Sequence, residues 1–273
     1  MGSIIASYFS NALLSQASYS TLDTSLNANI DAYIISLQDI GGAKMSASQA
    51  TLFAQTYEII DQQPNTATGF SGTVFRNRVT GEYTLAFRGT EIPSGIGTDL
   101  LLTDLADIGG KGIAMRQAVD LFNYYQQLTT ATGTDAFQLE LVIEQRITAP
   151  VGVMSIIVDP GTGLVPIPTY LYLQSGVSVV GTGELSSTSS INVAGHSLGG
   201  QLAMIMSRFD PGRVASVSTY NAPGFDTAIS GSETEWFFNA VAQAQVAGTG
   251  ASSVAFSGFP VDRLNNLAVP LDV

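Results

Sequence analysis

The last third of the chain alternates between short apolar segments and helical segments, and this pattern limits the fold more than any other feature. The predicted elements are a strand at 190–194, a helix at 198–209, a strand at 214–220, a helix at 233–246 and a strand at 252–257. Strands joined by helices pair in parallel, and the helices pack on the faces of the sheet. We therefore predict an α/β fold with a mainly parallel sheet and flanking helices.

The first part of the chain is predicted to be helical and then to form a hairpin. Ser46 and Gln49 have the spacing of a capping box that opens a helix. Residues 71–77 and 82–88 then alternate between polar and apolar side chains around a turn ending in Gly81, which predicts an antiparallel hairpin. A long amphipathic helix follows, and its apolar face consists of Ala114, Ala118, Leu121, Phe122, Tyr125 and Leu128.

Residues from about 135 to 183 interrupt the alternation of strands and helices. They contain three β-prone stretches, 138–147, 153–158 and 170–173, with turn residues between them. We interpret this segment as an inserted β-hairpin region. Two roles stay open for it: a flap that faces a substrate, or an edge hairpin that covers the core.

The charge of the chain excludes one class of partner. The formal net charge is −12, and the only lysines are Lys44 and Lys111. Because neutralising phosphates requires clustered cations, no nucleic-acid partner is predicted. An anionic membrane would repel the protein, whereas interfacial contact with a neutral lipid or ester surface is compatible with its charge. The longest uncharged stretch, 160–183, is broken by Pro166 and Pro168, so no stable membrane insertion is predicted.

One motif lies where the predicted strand 190–194 passes into the helix 198–209. It reads Gly195-His196-Ser197-Leu198-Gly199-Gly200. A serine at such a strand–turn–helix junction has a strained backbone that lifts its hydroxyl clear of the sheet, and the glycines allow the strand and the helix to approach each other. The positive end of the helix dipole would also lie under a developing oxyanion. Ser197 is therefore the candidate nucleophile; the alternative is an ordinary helix N-cap.

The single histidine of the chain, His196, belongs to this motif. It is adjacent to Ser197 and cannot fold back onto that hydroxyl as a general base, so we predict a role in packing or hydrogen bonding behind the turn. When a nucleophilic serine lies at a strand–turn–helix junction of this kind, the catalytic acid and then the general-base histidine follow it along the chain. The general-base histidine is accordingly expected beyond Val273, in a C-terminal piece that these residues lack. A base supplied by Lys44 or Lys111 is a further option, although neither lysine has a defined relation to Ser197.

A second motif, Phe87-Arg88-Gly89-Thr90, closes the predicted strand 82–88. In this order the two motifs resemble the lipase class 3 group of α/β-hydrolases, especially the lipase-like domains of bacterial secreted proteins with calcium-binding (RTX) repeats and the family I.3-type lipases. Residues 221–224, Asn-Ala-Pro-Gly, are also similar to that pattern, so the resemblance covers roughly residues 75–273. It implies a secreted hydrolase of acylglycerols or related lipid esters.

The resemblance also implies how the chain is organised and exported. It predicts one lipase-like α/β-hydrolase domain over 1–273, truncated at the C-terminus. Secretion would use a C-terminal signal, which agrees with an N-terminus that has no cationic region typical of a signal peptide. The parts of this domain are a helical N-terminus at 1–62, a core at 70–130 and 190–273, and an insertion at 131–189.

Site residues carried over from the resemblance are few. Thr90 and the backbone N–H of Leu198 would form the oxyanion hole, and Arg88 would tie the loop to its surroundings or form a surface ion pair. Asp262 and Asp226 each follow a predicted strand, where a catalytic acid is expected. The spacing in the family favours Asp262.

No cofactor is predicted. Residues 95–101 match part of a calcium-binding nonapeptide, but one isolated copy cannot stack into a β-roll. A structural calcium ion is therefore not assigned to any residue, and the sequence does not define an oligomeric state. The missing histidine also keeps a second function open: a catalytically inactive module that binds lipid, polymer or a partner domain.

Overall fold

The structure is a computed structural model that describes residues 2–89, 113–162, 166–225 and 233–267. The chain divides into two compact units. Unit 1 comprises Met1–Asp104, Thr188–Gly224 and Gly258–Val273, and unit 2 comprises Leu105–Ser187 and Phe225–Ser257.

The regular elements of the described residues are as follows. The α-helices are α1 (Gly2–Ala17), α2 (Ile30–Gln38), α3 (Ala47–Thr56), α4 (Met115–Thr129), α5 (Leu198–Phe209) and α6 (Glu233–Thr249). The strands are β1 (Tyr57–Gln63), β2 (Gly72–Asn77), β3 (Tyr83–Phe87), β4 (Asp135–Ala136), β5 (Leu139–Gln145), β6 (Ser155–Asp159), β7 (Thr169–Ser175), β8 (Val179–Val180), β9 (Ile191–His196), β10 (Val214–Tyr220) and β11 (Leu264–Leu267).

Unit 1 is built on a six-stranded mixed sheet in the order β1-β2-β3-β9-β10-β11. The strands β3, β9, β10 and β11 are parallel, as predicted for an α/β fold. The strands β1, β2 and β3 are antiparallel, which confirms the predicted hairpin and adds a third strand to it. This third strand, β1, occupies the end of the segment 1–62 that was predicted to be helical. The sheet is therefore less parallel than predicted.

Helices lie on both faces of this sheet. On β9, Gly195 lies against the start of α5, and the next residue, His196, contacts Tyr19 just after α1. Because successive residues of a strand point to opposite faces, α5 and the end of α1 cover opposite sides of the sheet. The predicted capping box of Ser46 and Gln49 is present at the start of α3. Behind it, Phe53 packs edge-to-face on Tyr33 and Phe75.

Unit 2 contains a three-stranded antiparallel sheet in the order β5-β7-β6 and a two-stranded pair, β4-β8. The segment predicted as an inserted hairpin thus forms more strands than one hairpin requires. The predicted amphipathic helix is α4. Helix α6 contacts β7 so closely that a Cβ on Gly248 would collide with Ser175. Unit 2 therefore contains the predicted insertion and, in addition, α4 and α6, which the sequence analysis assigned to the core of the α/β domain. The single domain over 1–273 stays a prediction.

The strand predicted at 252–257 is wrong. These residues have no regular structure, and the last strand is β11. Within this segment Phe256 packs edge-to-face on Phe238 of α6, at 5.7 Å between ring centroids.

Candidate active site

Ser197 lies at the turn between β9 and α5, and its backbone is strained. Its φ is 54° and its ψ is −129°, a combination that residues with a side chain rarely adopt. Hydrogen bonds hold the turn on both sides: the Ser197 N–H donates to the Tyr220 carbonyl at 2.8 Å, and the Gly200 N–H donates to the Ser197 carbonyl at 2.9 Å. The side chain is only half-buried, so its hydroxyl is accessible.

The glycines of the motif are required by close packing. A Cβ on Gly195 would collide with the Gly199 carbonyl, and a Cβ on Gly199 would collide with the Phe87 carbonyl at the end of β3. A Cβ on Gly200 would lie 2.6 Å from that of Ala222, after β10. The start of α5 therefore lies in direct contact with the ends of β9 and β3 and with the residues after β10. This agrees with the prediction that the glycines allow the strand and the helix to approach each other.

Leu198 is the first residue of α5 and is buried. The first N–H groups of a helix have no acceptor within the helix and lie at the positive end of its dipole. The N–H of Leu198 is thus chemically suited to bind an oxyanion beside Ser197. Its proposed partner Thr90 lies outside the described residues, but the preceding Gly89 is buried beside Ser197. A Cβ on Gly89 would lie 3.2 Å from that of Ser197.

His196 forms a hydrogen bond behind the turn, as predicted. Its Nδ1 lies 3.0 Å from the hydroxyl of Tyr19, which also accepts a hydrogen bond from the Gly89 N–H at 3.1 Å. Burial lowers the pKa of His196 below its ordinary value, so the imidazole is neutral at neutral pH. Sequence reasoning missed Tyr19, since it belongs to no motif and lies 177 positions from His196.

Arg88 has contacts that agree with a structural role. Its N–H donates to the Ser71 carbonyl at 3.1 Å. When the Asn65 amide is oriented to satisfy its neighbours, its oxygen accepts from the Arg88 guanidinium at 3.0 Å. Arg88 therefore ties the end of β3 to the loop before β2.

The structure does not bring Asp262 to Ser197. Asp262 lies in a 3₁₀ turn, Val261–Arg263, at the amino end of β11 and not beyond the carboxyl end of a strand. In the parallel register Leu264 is level with Val217, and Val217 with Val193. Asp262 is thus about six strand residues, or roughly 20 Å, from the level of Ser197 along the strands.

The surroundings of Asp262 also differ from those of a catalytic acid. Its side chain is 76% exposed and lies 3.8 Å from the Arg263 guanidinium. The sequence predicts a strand at 252–257 before Asp262, whereas these residues form no strand and β11 begins at Leu264, after Asp262. The alternative acid, Asp226, and Lys111 lie outside the described residues, and Lys44 is exposed in the turn between α2 and α3.

The described residues show neither a metal centre nor a membrane-spanning helix. Within the described ranges, no group of three or more histidine, aspartate or glutamate side chains could hold a metal ion. The calcium-repeat-like residues 95–101 lie outside those ranges. Among the helices that the structure describes, none is both long and apolar enough to cross a membrane.

A comparison with solved structures finds a distant structural neighbour of this chain. No protein-family model matches the sequence, and no curated protein is significantly similar to it. The crystal structure of the Lip2 lipase from Yarrowia lipolytica is similar over 81% of this chain and 68% of its own, with 15% sequence identity and a TM-score of 0.29. So distant a similarity assigns neither a fold family nor a function to this chain.

Proposed function

We propose that this chain is a serine ester hydrolase of the α/β-hydrolase type that cleaves acylglycerols or related lipid esters through an acyl-enzyme on Ser197. The observation that carries the proposal is the backbone of Ser197, which is strained and is placed between a parallel strand and the helix that follows it. Strain of this kind persists only where the surrounding structure imposes it, and it concentrates at functional sites.

The ordinary alternative for Ser197 is a helix N-cap. An N-cap serine has extended backbone angles, and its side chain accepts a hydrogen bond from the first turn of the helix. Ser46, before α3, has both properties. Ser197 has neither: its φ is positive and its side chain makes no capping hydrogen bond. The comparison within one chain therefore favours a role for the Ser197 hydroxyl other than capping.

The proposed reaction has two steps. The Ser197 oxygen attacks the ester carbonyl while a base takes its proton, and the oxyanion is bound by the N–H of Leu198 and by a donor at Thr90. The tetrahedral intermediate collapses, and the alcohol leaves with the proton held by the base. Water then hydrolyses the acyl-serine to release the acid. His196 is bound to Tyr19 through Nδ1, so we assign neither the base nor the acid of a triad to it.

Labelling with a fluorophosphonate tests the proposal, because this probe modifies only activated serines. We expect covalent label on the peptide that contains Ser197 and none after Ser197→Ala. Ser187→Ala is the matched control, since Ser187 is exposed and lies in unit 2. Equal labelling of the wild type and of Ser197→Ala would refute the assignment.

One observation favours a second function, a catalytically inactive module that binds lipid. The only histidine of the 273 residues already forms a hydrogen bond with Tyr19. In this case the wild type would remain unlabelled, yet it would bind vesicles of neutral phosphatidylcholine, and Ser197→Ala would bind them equally well. Secretion and the relation to RTX proteins and family I.3-type lipases stay predictions from the motifs.

A further inference from the structure

The hydroxyl of Tyr19 lies between two segments of the proposed site that are far apart in the sequence. It accepts a hydrogen bond from the Gly89 N–H at 3.1 Å and lies 3.0 Å from Nδ1 of His196. Gly89 directly precedes Thr90 in the sequence, and His196 directly precedes the proposed nucleophile, Ser197. One phenol thus connects the loop after β3 with the turn after β9.

Gly89 fits tightly between these groups. A Cβ at this position would collide with the Tyr19 hydroxyl and would lie 2.6 Å from the His196 carbonyl oxygen. Glycine has more backbone freedom than any other residue, so the direction of the chain after Gly89 must be fixed by outside contacts. The hydrogen bond from Tyr19 is such a contact, directly before the residue proposed to bind the oxyanion.

Tyr19 is itself held firmly. Its N–H donates to the Gln16 carbonyl at 3.2 Å, just beyond the end of α1. The next residue, Ser20, is buried, and its hydroxyl donates to the Ser36 carbonyl at 2.9 Å and accepts from the Ala43 N–H at 3.2 Å. These bonds anchor the backbone at Tyr19, from which its phenol reaches Gly89 and His196.

We propose that Tyr19 is a positioning residue for the ester hydrolysis proposed above, on which this inference rests. Its O–H donates to Nδ1 of a neutral His196 that carries its proton on Nε2, and its oxygen accepts from the Gly89 N–H. Gly89, the residue before Thr90 in the sequence, is thereby held against the turn of Ser197. The imidazole serves as the fixed acceptor that orients the phenol, and not as the base of the reaction.

The test compares Tyr19→Phe with Tyr8→Phe. Tyr8 lies on α1, and its hydroxyl donates to Asn265 at 3.3 Å, so this control also loses one hydrogen bond of a tyrosine hydroxyl, but away from Gly89. Since the chain has one histidine, its ¹⁵N imidazole signals need no assignment by mutation. We expect an unprotonated Nδ1 in the wild type, a shifted Nδ1 signal in Tyr19→Phe and an unchanged one in Tyr8→Phe.

Kinetics supply the second measurement. Loss of one positioning hydrogen bond should lower kcat for a p-nitrophenyl ester about three- to tenfold, with little change in KM. Tyr8→Phe should retain the wild-type kcat. An unchanged Nδ1 signal in Tyr19→Phe, a rise in KM at constant kcat, or an equal loss in Tyr8→Phe would each overturn the inference. A wild-type protein that neither turns over ester nor reacts with fluorophosphonate would instead refute the proposed function, while the Nδ1 signal would still decide whether Tyr19 bridges His196 and Gly89.

Discussion

Replacing Ser197 by glycine should make the protein more stable while removing its proposed activity. Ser197 has a φ of 54° and a ψ of −129°, and a non-glycine residue held in such a region costs about 1–3 kcal/mol. Glycine adopts these angles without strain, but it costs about 0.4–1 kcal/mol through the greater freedom of the unfolded chain. The difference is a net stabilisation of roughly 1 kcal/mol.

The matched control is Ser197→Ala, which removes the hydroxyl but keeps a Cβ and therefore the strain. We expect its stability to lie within about 0.5 kcal/mol of the wild type. A stabilisation of about 1 kcal/mol corresponds to a rise in Tm of roughly 2–4 °C for a protein of this size. Both variants should be unreactive toward a fluorophosphonate.

The assay must report on unit 1. The only tryptophan, Trp236, belongs to unit 2, so its fluorescence does not follow the turn at Ser197 directly. Circular dichroism during thermal and urea unfolding, with hydrogen exchange of the peptides that cover α5, measures the relevant change. The reasoning is refuted if Ser197→Gly is no more stable than Ser197→Ala, because the backbone would then store no strain that glycine relieves.

Two further predictions concern Asp262 and His196. Asp262→Asn should leave the rate of fluorophosphonate labelling within about twofold of the wild type, because the side chain is exposed and lies at the opposite end of the strands from Ser197; a loss of more than tenfold would show that Asp262 acts at the site. Burial lowers the pKa of His196 below 6.5, so the unfolded chain binds this proton more tightly. The contribution of neutral, buried His196 to the free energy of unfolding is therefore fully present above about pH 6.5. It is lost as the pH falls from there toward the pKa of His196 in the folded protein. An NMR titration of the single imidazole measures the pKa of His196, and urea unfolding of the wild type and of His196→Gln at several pH values measures the change in stability. A pKa at or above 6.5 in the folded protein would contradict the prediction.

Local sequence pattern was sufficient for the elements around the nucleophile. The predicted helix 198–209 and strand 214–220 coincide with α5 and β10. Here the 3.6-residue period, the strand alternation and the glycines of the turn all depend on contacts close in sequence. The strained angles of Ser197 follow from the same glycine packing that the motif indicated.

Features that depend on distant contacts could not be predicted in this way. The sequence predicts a strand at 252–257, but these residues form none; Phe256 packs on Phe238 of α6, and β11 begins only after Asp262. Likewise, no local pattern distinguishes Tyr19 from the other tyrosines of the chain. Its role depends on His196 and Gly89, which only the three-dimensional fold brings to it.

Directed polar contacts link the first helix to the sheet, in addition to the apolar packing of Leu13, Leu14 and Ala17. The Asn11 amide donates to the Ser218 hydroxyl at 2.9 Å, and the Tyr220 hydroxyl donates to the Tyr8 carbonyl at 2.7 Å. Apolar packing alone would let a helix slide along a sheet, whereas hydrogen bonds of defined geometry fix its position. Tyr19 lies two residues beyond the end of α1, and its hydroxyl accepts from the Gly89 N–H. Tyr19 is therefore part of the proposed site, although the motifs of the sequence begin only at Phe87.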